Sequence, residues 1–472
     1  MRTIKDAKYL LLLAMLVAGS MFTVSCSSDD DDESTKSEEK SEEKTLDIDK
    51  GLENVTYEVV SQEALTPEQM ADAVYGPDGA NGDEEMQEMR NIFLKKQQEI
   101  GEKMAAEMGS NGVAIGYMSY NYKYASVDEK GEPLLLSARV YWGTYWLFGN
   151  HDLDPDYIVL CPHFTIGSDK ECPTKKHTLE AAAIVGDNLL IMPDYIGFGH
   201  TKQRVQPYIN HNLCAQNCID ALEAGYKLFK EKTSASLEKD YKLYVIGASQ
   251  GGGNALAVHK WLDTHPAFAD KWRFDYSYCC AGPYDPALTF QKYFQQKKHP
   301  YPCVFPFVIK SMMAAYPDIL GKWKEEDFYS EDYVSKHKSL MDQLIASKEY
   351  DCEAINKKFF EWYPHTGDKN IKGGKEIYLS DILSDEVQDE NSEMYKALFK
   401  CLDDNNLTKG WTPTHTIKLY HGEGDDIVPY ANAKAVVDAF PGKTKMFNSG
   451  WGTSGHLETC GKWLGTLVIN NW

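Results

Sequence analysis

From Tyr157 onwards the apolar positions gather into short runs: Tyr157 to Cys161, Asn188 to Met192, Tyr241 to Ile246, Phe274 to Cys279 and Ile417 to Tyr420. An unbroken apolar run of this length predicts a strand covered on both faces. Helical segments lie between the first four runs: one ending near Val185, one near Asn212 to Phe229 and one from Asn254 to Leu262. Strands alternating with helices predict parallel βαβ units. Upstream, Ala114 to Ser126 and Leu134 to Trp142 are aromatic and β-branched around Glu129-Lys130-Gly131, which predicts a hairpin. Asp83 to Met108 sets Met86, Met89, Phe93 and Ile100 at helical spacing among charges, which predicts an amphipathic helix laid over the following domain.

One interval breaks this rhythm. About 135 residues with several helical patterns separate the fourth run from the fifth, too many for a loop in a compact domain. The expected organisation is an α/β core made of 49–285 and 413–472, its mostly parallel sheet covered by helices and preceded by the hairpin. Residues 286–412 would form a helical cap inserted into it.

The first 25 residues have a different character. Arg2, Lys5 and Lys8 precede an apolar stretch from Tyr9 to Ala18 and then Thr23-Val24-Ser25-Cys26, the form of a secretory signal. The small residue before Cys26 resembles the bacterial lipobox, which implies cleavage there and acylation of the cysteine. Asp29 to Thr45 carries nine acids and three lysines with almost no apolar side chain, so 26–48 is expected to be a solvated tether. An acidic run behind a lipid cysteine also resembles the surface-export signal of some Gram-negative outer-membrane lipoproteins. That implies a cell-surface protein held to the membrane through lipid on Cys26, since no second apolar stretch is long enough to span a bilayer.

The tether accounts for only −6 of the net charge of −22, so the folded part is acidic too. Nucleic acid is therefore a poor partner, because it requires a basic face. Ten further cysteines in an exported chain permit disulfides, whose pairing the sequence does not specify. His211, Cys214 and Cys218 share one helical face; a partly buried face or a disulfide accounts for them better than a metal.

Candidate chemistry centres on Gly247-Ala248-Ser249-Gln250-Gly251, at the junction of the third run and the next helix. A serine on a sharp strand-to-helix turn projects its hydroxyl above the sheet. A serine nucleophile needs a base, and the base an orienting acid; in folds using this turn the chain order is serine, acid, histidine. After the fifth run comes His421-Gly422-Glu423-Gly424-Asp425-Asp426, with Asp425 the expected acid and Glu423 and Asp426 beside it. Asp285 is a second position for the acid, its other role being to cap the first helix of the insertion. Beyond the acid loop one histidine remains, His456. The amide of Gln250, at the helix start, is an expected oxyanion donor, and the amide of Thr165, in the loop Pro162 to Gly167, the other. His163 is expected to pack rather than transfer protons.

These motifs, with Met192-Pro193-Asp194-Tyr195-Ile196-Gly197-Phe198-Gly199, resemble the α/β-hydrolases of the secretory lipase and esterase type over residues 115–472. The loop departs from the common pattern by carrying His163-Phe164-Thr165 where relatives have histidine and glycine. The resemblance implies Ser249 as nucleophile, Asp425 as acid, His456 as base, Thr165 and Gln250 as amide donors, and Asp194 as a structural turn residue. The implied activity is hydrolysis of a small-molecule carboxylic ester through an acyl-enzyme, with no metal or organic cofactor. Two other readings stand beside it. One is an exported serine peptidase, although the propeller repeats usual there are not visible; the other is a non-catalytic surface binding protein. Tyr301, Phe305, Phe307, Tyr316 and Trp323 in the cap either line an acyl or aryl pocket or form the cap's own core.

Overall fold

The computed structural model describes residues 48–49, 51–77, 84–110, 112–185, 188–237, 241–364, 376–447 and 453–469. The signal stretch, Cys26 and the acidic tether lie outside the described residues. The chain divides into residues 1–45 and 46–472, and the second unit is the one with described structure.

Its strands are β1 (Tyr57–Leu65), β2 (Ala114–Val127), β3 (Pro133–Trp146), β4 (Asn150–Asp152), β5 (Tyr157–Leu160), β6 (Asn188–Pro193), β7 (Lys242–Ala248), β8 (Phe274–Cys280), β9 (Lys298–His299), β10 (Ile377–Tyr378), β11 (Thr416–Tyr420) and β12 (Thr444–Met446). One ten-stranded sheet runs β1-β2-β3-β6-β5-β7-β8-β11-β12, with β4 on the end of β3. From β6 to β12 every pairing is parallel; β1, β2, β3 and β4 pair antiparallel. The mostly parallel sheet is thus the expected one.

The apolar strands are buried on both faces because successive side chains point to opposite sides. Ile158 and Leu160, Leu243 and Val245, and Ile417 and Leu419 share one core with the helices His211–Lys232 and Gln250–Thr264. Val159, Tyr244, Ile246 and Tyr420 face a second core with Phe93 of helix Glu84–Glu107 and Trp463 of the final helix His456–Ile469. Met86 and Met89 pack against this second core, so the amphipathic helix covers the sheet as expected.

Two details differ from the sequence reading. The hairpin is not the first part of the sheet, because the unpredicted strand β1 precedes it and pairs with β2 outside it. Its polar, half-exposed sequence YEVVSQEAL, with a register shift between Val59 and Ser61, hides the period of two. The segment before Val185 is a six-residue 3₁₀ helix, Leu179–Ile184. It is fully apolar or small except Glu180, which leaves no polar face for a rhythm to mark.

Between β8 and β11 the chain forms helices that include Pro286–Gln296, Val304–Ala315, Ser339–Ser347, Cys352–Trp362 and Glu393–Asp404, with β9 and β10 paired antiparallel. They gather around their own buried cluster, including Phe290, Phe305, Met312, Phe328, Phe359 and Leu398. Among the described residues no helix is long and apolar enough to cross a membrane.

Candidate active site

The candidate residues come from loops at the carboxyl ends of parallel strands, where open α/β sheets place their sites. Ser249 follows β7 and is held at φ 56°, ψ −124°, immediately before helix Gln250–Thr264. A non-glycine residue in that region carries about 1–3 kcal/mol of strain and persists only if its surroundings over-determine it. Here its N–H donates to Cys280 O of β8 at 2.8 Å and its carbonyl accepts from Gly253 N at 3.1 Å. The glycines that follow are required by contact. A Cβ on Gly251 would lie 2.3 Å from Pro162 O, and one on Gly252 2.3 Å from Cys280 O. The helix therefore seats directly against β8 and the loop that follows β5.

His456 is the first residue of the final helix. Its Nε2 lies 2.9 Å from Ser249 Oγ and its Nδ1 2.7 Å from Asp425 Oδ2. Asp425 Oδ1 accepts the amides of Ile427 at 3.0 Å and Val428 at 2.7 Å, which fixes the carboxylate. The neighbouring acids do other things. Asp426 Oδ1 accepts the His456 backbone N–H at 3.0 Å and so fixes the start of the helix, whereas Glu423 is exposed. Asp285 caps helix Pro286–Gln296, accepting Leu288 N at 2.9 Å, its alternative role in the sequence reading.

Charge reinforces this geometry. Burial by itself would raise Asp425, but the His456 charge and hydrogen bonds from His421 and His456 outweigh it and hold the carboxyl well below its ordinary range. At His456 burial disfavours the imidazolium, yet the Asp425 carboxylate, with Cys460 adding to it, keeps the imidazole well above its ordinary value.

No protein-family model matches the chain, and no curated protein does. Solved structures do. The rice cell wall degrading esterase LipA from Xanthomonas oryzae superposes with a TM-score of 0.61 at 15% identity, over 88% of this chain and 96% of that one. A putative hydrolase from Legionella pneumophila gives 0.60 at 16% identity, also over 88% and 96%. Candida antarctica lipase A in its closed state gives 0.50 at 13%, over 75% of this chain and 78% of that one. The fold is that of the α/β-hydrolases.

Hydrolysis on this fold would also require a pair of amides facing the serine. Phe164 donates its N–H to the buried Glu180 Oε1 at 3.0 Å, which removes it from that role and pins the loop. Among the described residues no acceptor takes the N–H of Thr165 or Gln250, and both residues line the same cavity as Ser249. His163 is fully buried, stacked on Tyr195 at 4.1 Å, with its ring nitrogens on the Phe164 and Asp194 carbonyls. Asp194 accepts Ser137 Oγ at 2.6 Å and Thr174 N at 2.9 Å, which braces the turn beneath.

The cavity above Ser249 has a volume of about 370 Å³. Phe164, Leu179, Phe290, Val304 and Leu464 make most of it apolar, and Glu171, Asp351 and Glu353 add an acidic wall. Of the five cap aromatics singled out in the sequence, Tyr301 reaches it. Phe305 and Phe307 are buried in the cap cluster, and Tyr316 and Trp323 pack against that cluster.

Sequence reasoning passed over two supports of the acid loop. His421 Nε2 lies 3.2 Å from Asp425 Oδ2 and 3.0 Å from Val428 O, tying the carboxylate to its own loop. Its position four residues before Asp425 was the available signal. Tyr293 OH donates to Ile427 O at 2.6 Å from the cap side, and no local pattern announces that contact. His211 gives Nδ1 to Asn405 O at 2.8 Å, while Cys214 and Cys218 sulfurs stand 4.0 Å apart. Among the described residues no group of three or more such side chains gathers in metal-binding geometry.

Proposed function

We propose that this protein is a serine hydrolase of carboxylic esters. The observation that carries the proposal is the continuous chain Asp425 Oδ2 to His456 Nδ1 at 2.7 Å and His456 Nε2 to Ser249 Oγ at 2.9 Å, opening on a mostly apolar cavity. The likeness to the esterase LipA supports the fold on which this chemistry is built. Ser249 Oγ attacks the ester carbonyl while His456 Nε2 takes its proton, and the oxyanion is met by the Gln250 and Thr165 amides. His456 then passes the proton to the departing alkoxide, which leaves as the alcohol. Water repeats the sequence on the acyl-enzyme and releases the acid and free Ser249. Asp425 stays ionised throughout and holds the imidazole in the required tautomer.

The test is hydrolysis of p-nitrophenyl acyl esters together with labelling by a fluorophosphonate. Wild type should do both and Ser249→Ala neither; equal ester turnover by the two proteins would sink the proposal. A second reading, cleavage of an amide beside a free amine, draws on Glu171, Asp351 and Glu353, whose charge suits a substrate ammonium. Turnover of aminoacyl anilides with simple acyl esters left intact would favour it.

We further infer from the sequence before Leu46 that the enzyme is exported, acylated on Cys26 and displayed on the outer membrane. Metabolic labelling with a palmitate analogue should mark wild type and not Cys26→Ala. Protease added to whole cells should remove the protein if it is surface-exposed.

A further inference from the structure

The seam between cap and core holds a second cavity, of about 210 Å³, which shares no lining residue with the cavity above Ser249. In a chain of net charge −22 its charged lining is mainly basic: Arg204, Lys310 and Lys348 against one acid, Asp342. Two of the cations have counter-charges. Arg204 Nη2 lies 2.9 Å from Asp128 and 3.1 Å from Glu129, and Lys310 Nζ lies 2.7 Å from Glu325 and 2.8 Å from Asp342. Asp342 is shared with Lys338 at 2.6 Å, so it offers little free charge to the cavity.

Lys348 differs. The residue is only 7% exposed, and among the described residues no carboxylate forms an ion pair with it. Its ammonium rests 4.4 Å from the ring centroid of Phe198, and burial pushes it down to about 8. The backbone is held in place, since Lys348 O accepts Asp169 N at 2.8 Å and Ser168 Oγ at 3.1 Å across the seam. The Asp169 carboxylate acts on it only from beyond ion-pair distance; a buried cation so weakly compensated is destabilising, and an anion that enters completes the site.

We propose that this cavity binds a small organic carboxylate, with the carboxyl group against Lys348 and a short apolar body on Phe307, Ile345 and Val205. A phosphate fits less well, because a doubly charged group needs more than one unengaged cation and four of the ten lining residues are apolar. The volume lies below the ~300–1,000 Å³ usual for drug-sized ligands, which limits the occupant to a small acid. The site also adjoins the oxyanion corner. Gln206 Nε2 donates to Gln250 Oε1 at 3.4 Å, and Phe307 packs edge-on to Tyr208, whose OH lies 3.0 Å from Thr165 Oγ1. On the ester-hydrolase reading, to which this clause alone is tied, the acid released at Ser249 is one source of such a ligand; a free acid from the medium is the other.

Calorimetric titration of the protein with benzoate, benzyl alcohol and inorganic phosphate tests the assignment. Benzoate should bind at least tenfold more tightly than either of the others. Lys348→Met and Ala346→Trp, the latter placing bulk at the exposed mouth, should each weaken benzoate at least tenfold while melting as wild type does. Ser249→Ala should leave benzoate binding unchanged, whereas its loss there would move the ligand to the catalytic cavity and overturn the proposal. Benzyl alcohol or phosphate binding as tightly as benzoate, or benzoate affinity unaltered in both Lys348→Met and Ala346→Trp, would overturn it as well. Absence of esterase activity together with intact Lys348-dependent binding would remove the function proposed above and leave this site standing. With the hydrolase reading upheld, hydrolysis of an ester of benzoic acid in the presence of added benzoate shows whether the product acid occupies it.

Discussion

The corner that holds Ser249 and the cap that overhangs it are built on different physics. At the corner every position is determined by directional contacts: a strained serine tied to Cys280, a carboxylate held by two amides and His421, an imidazole held between Asp425 and Ser249. The cap is held mainly by a cluster of apolar side chains around Phe305, Met312 and Phe359 and reaches the corner through few polar contacts, such as Tyr293 OH to Ile427 O. Directional contacts tolerate little change in residue type, whereas apolar packing tolerates swaps that conserve volume. On the hydrolase reading proposed above, the difference implies that rate is set at the corner and substrate choice at the cap.

The largest effect should come from cutting the chain of hydrogen bonds. Ser249→Ala and His456→Ala should each lower kcat by about 10⁵ to 10⁶, and the double variant by no more than either, because the residues act as a unit. Single-turnover and steady-state assays with one activated ester check this; additive losses would mean that the two do not share a step. Asp425→Asn should cost about 10⁴ by favouring the wrong tautomer. It should also move the pH profile. His456 acts as a base only when neutral, so activity rises with pH as it loses its proton. In wild type the rising limb of kcat/KM should lie above the ordinary imidazole value of about 6.5, because Asp425 raises it, and in Asp425→Asn it should fall.

A smaller effect should follow from His421→Gln. Loss of one buried hydrogen bond to a charged group is worth about 1.5–3 kcal/mol, or roughly ten- to a hundredfold in kcat, with KM unchanged. A rate loss as large as that of Asp425→Asn would show that His421 does more than hold the loop. Smallest in rate and most telling for the contrast is Phe290→Ala in the cavity wall. Turnover of an acetyl ester should stay within about threefold of wild type. The preferred acyl length should increase, since one methylene in an apolar pocket is worth about 1–3 kcal/mol of discrimination. Unchanged chain-length preference would mean that the cap covers the site without selecting.

How much of this was readable beforehand follows from the range of the forces. Residues 242 to 256 were legible because strand, turn and helix are local, and the turn demands small residues within hydrogen-bonding reach of one another. His456 was found from chain order, and so was the choice of the acid loop. The choice among Glu423, Asp425 and Asp426 rests on side-chain direction, which alternates from one residue to the next and is decided by what the loop packs against. The edge strand β1 was missed because an exposed strand with a register shift has no apolar period to display.

By itself the sequence determined the alternation of the central strands with helices and the serine turn with its glycines. Each depends on neighbours a few residues apart, where backbone geometry and apolar periodicity act directly. Only the tertiary structure decided which acid meets His456, that Phe164 has its amide engaged by Glu180, that one of the five cap aromatics reaches the cavity, and that Lys348 is buried without an ion-pair partner among the described residues. The first two of these features join residues 31 and 16 positions apart, brought together by burial of distant apolar faces, and no short stretch of chain contains both partners.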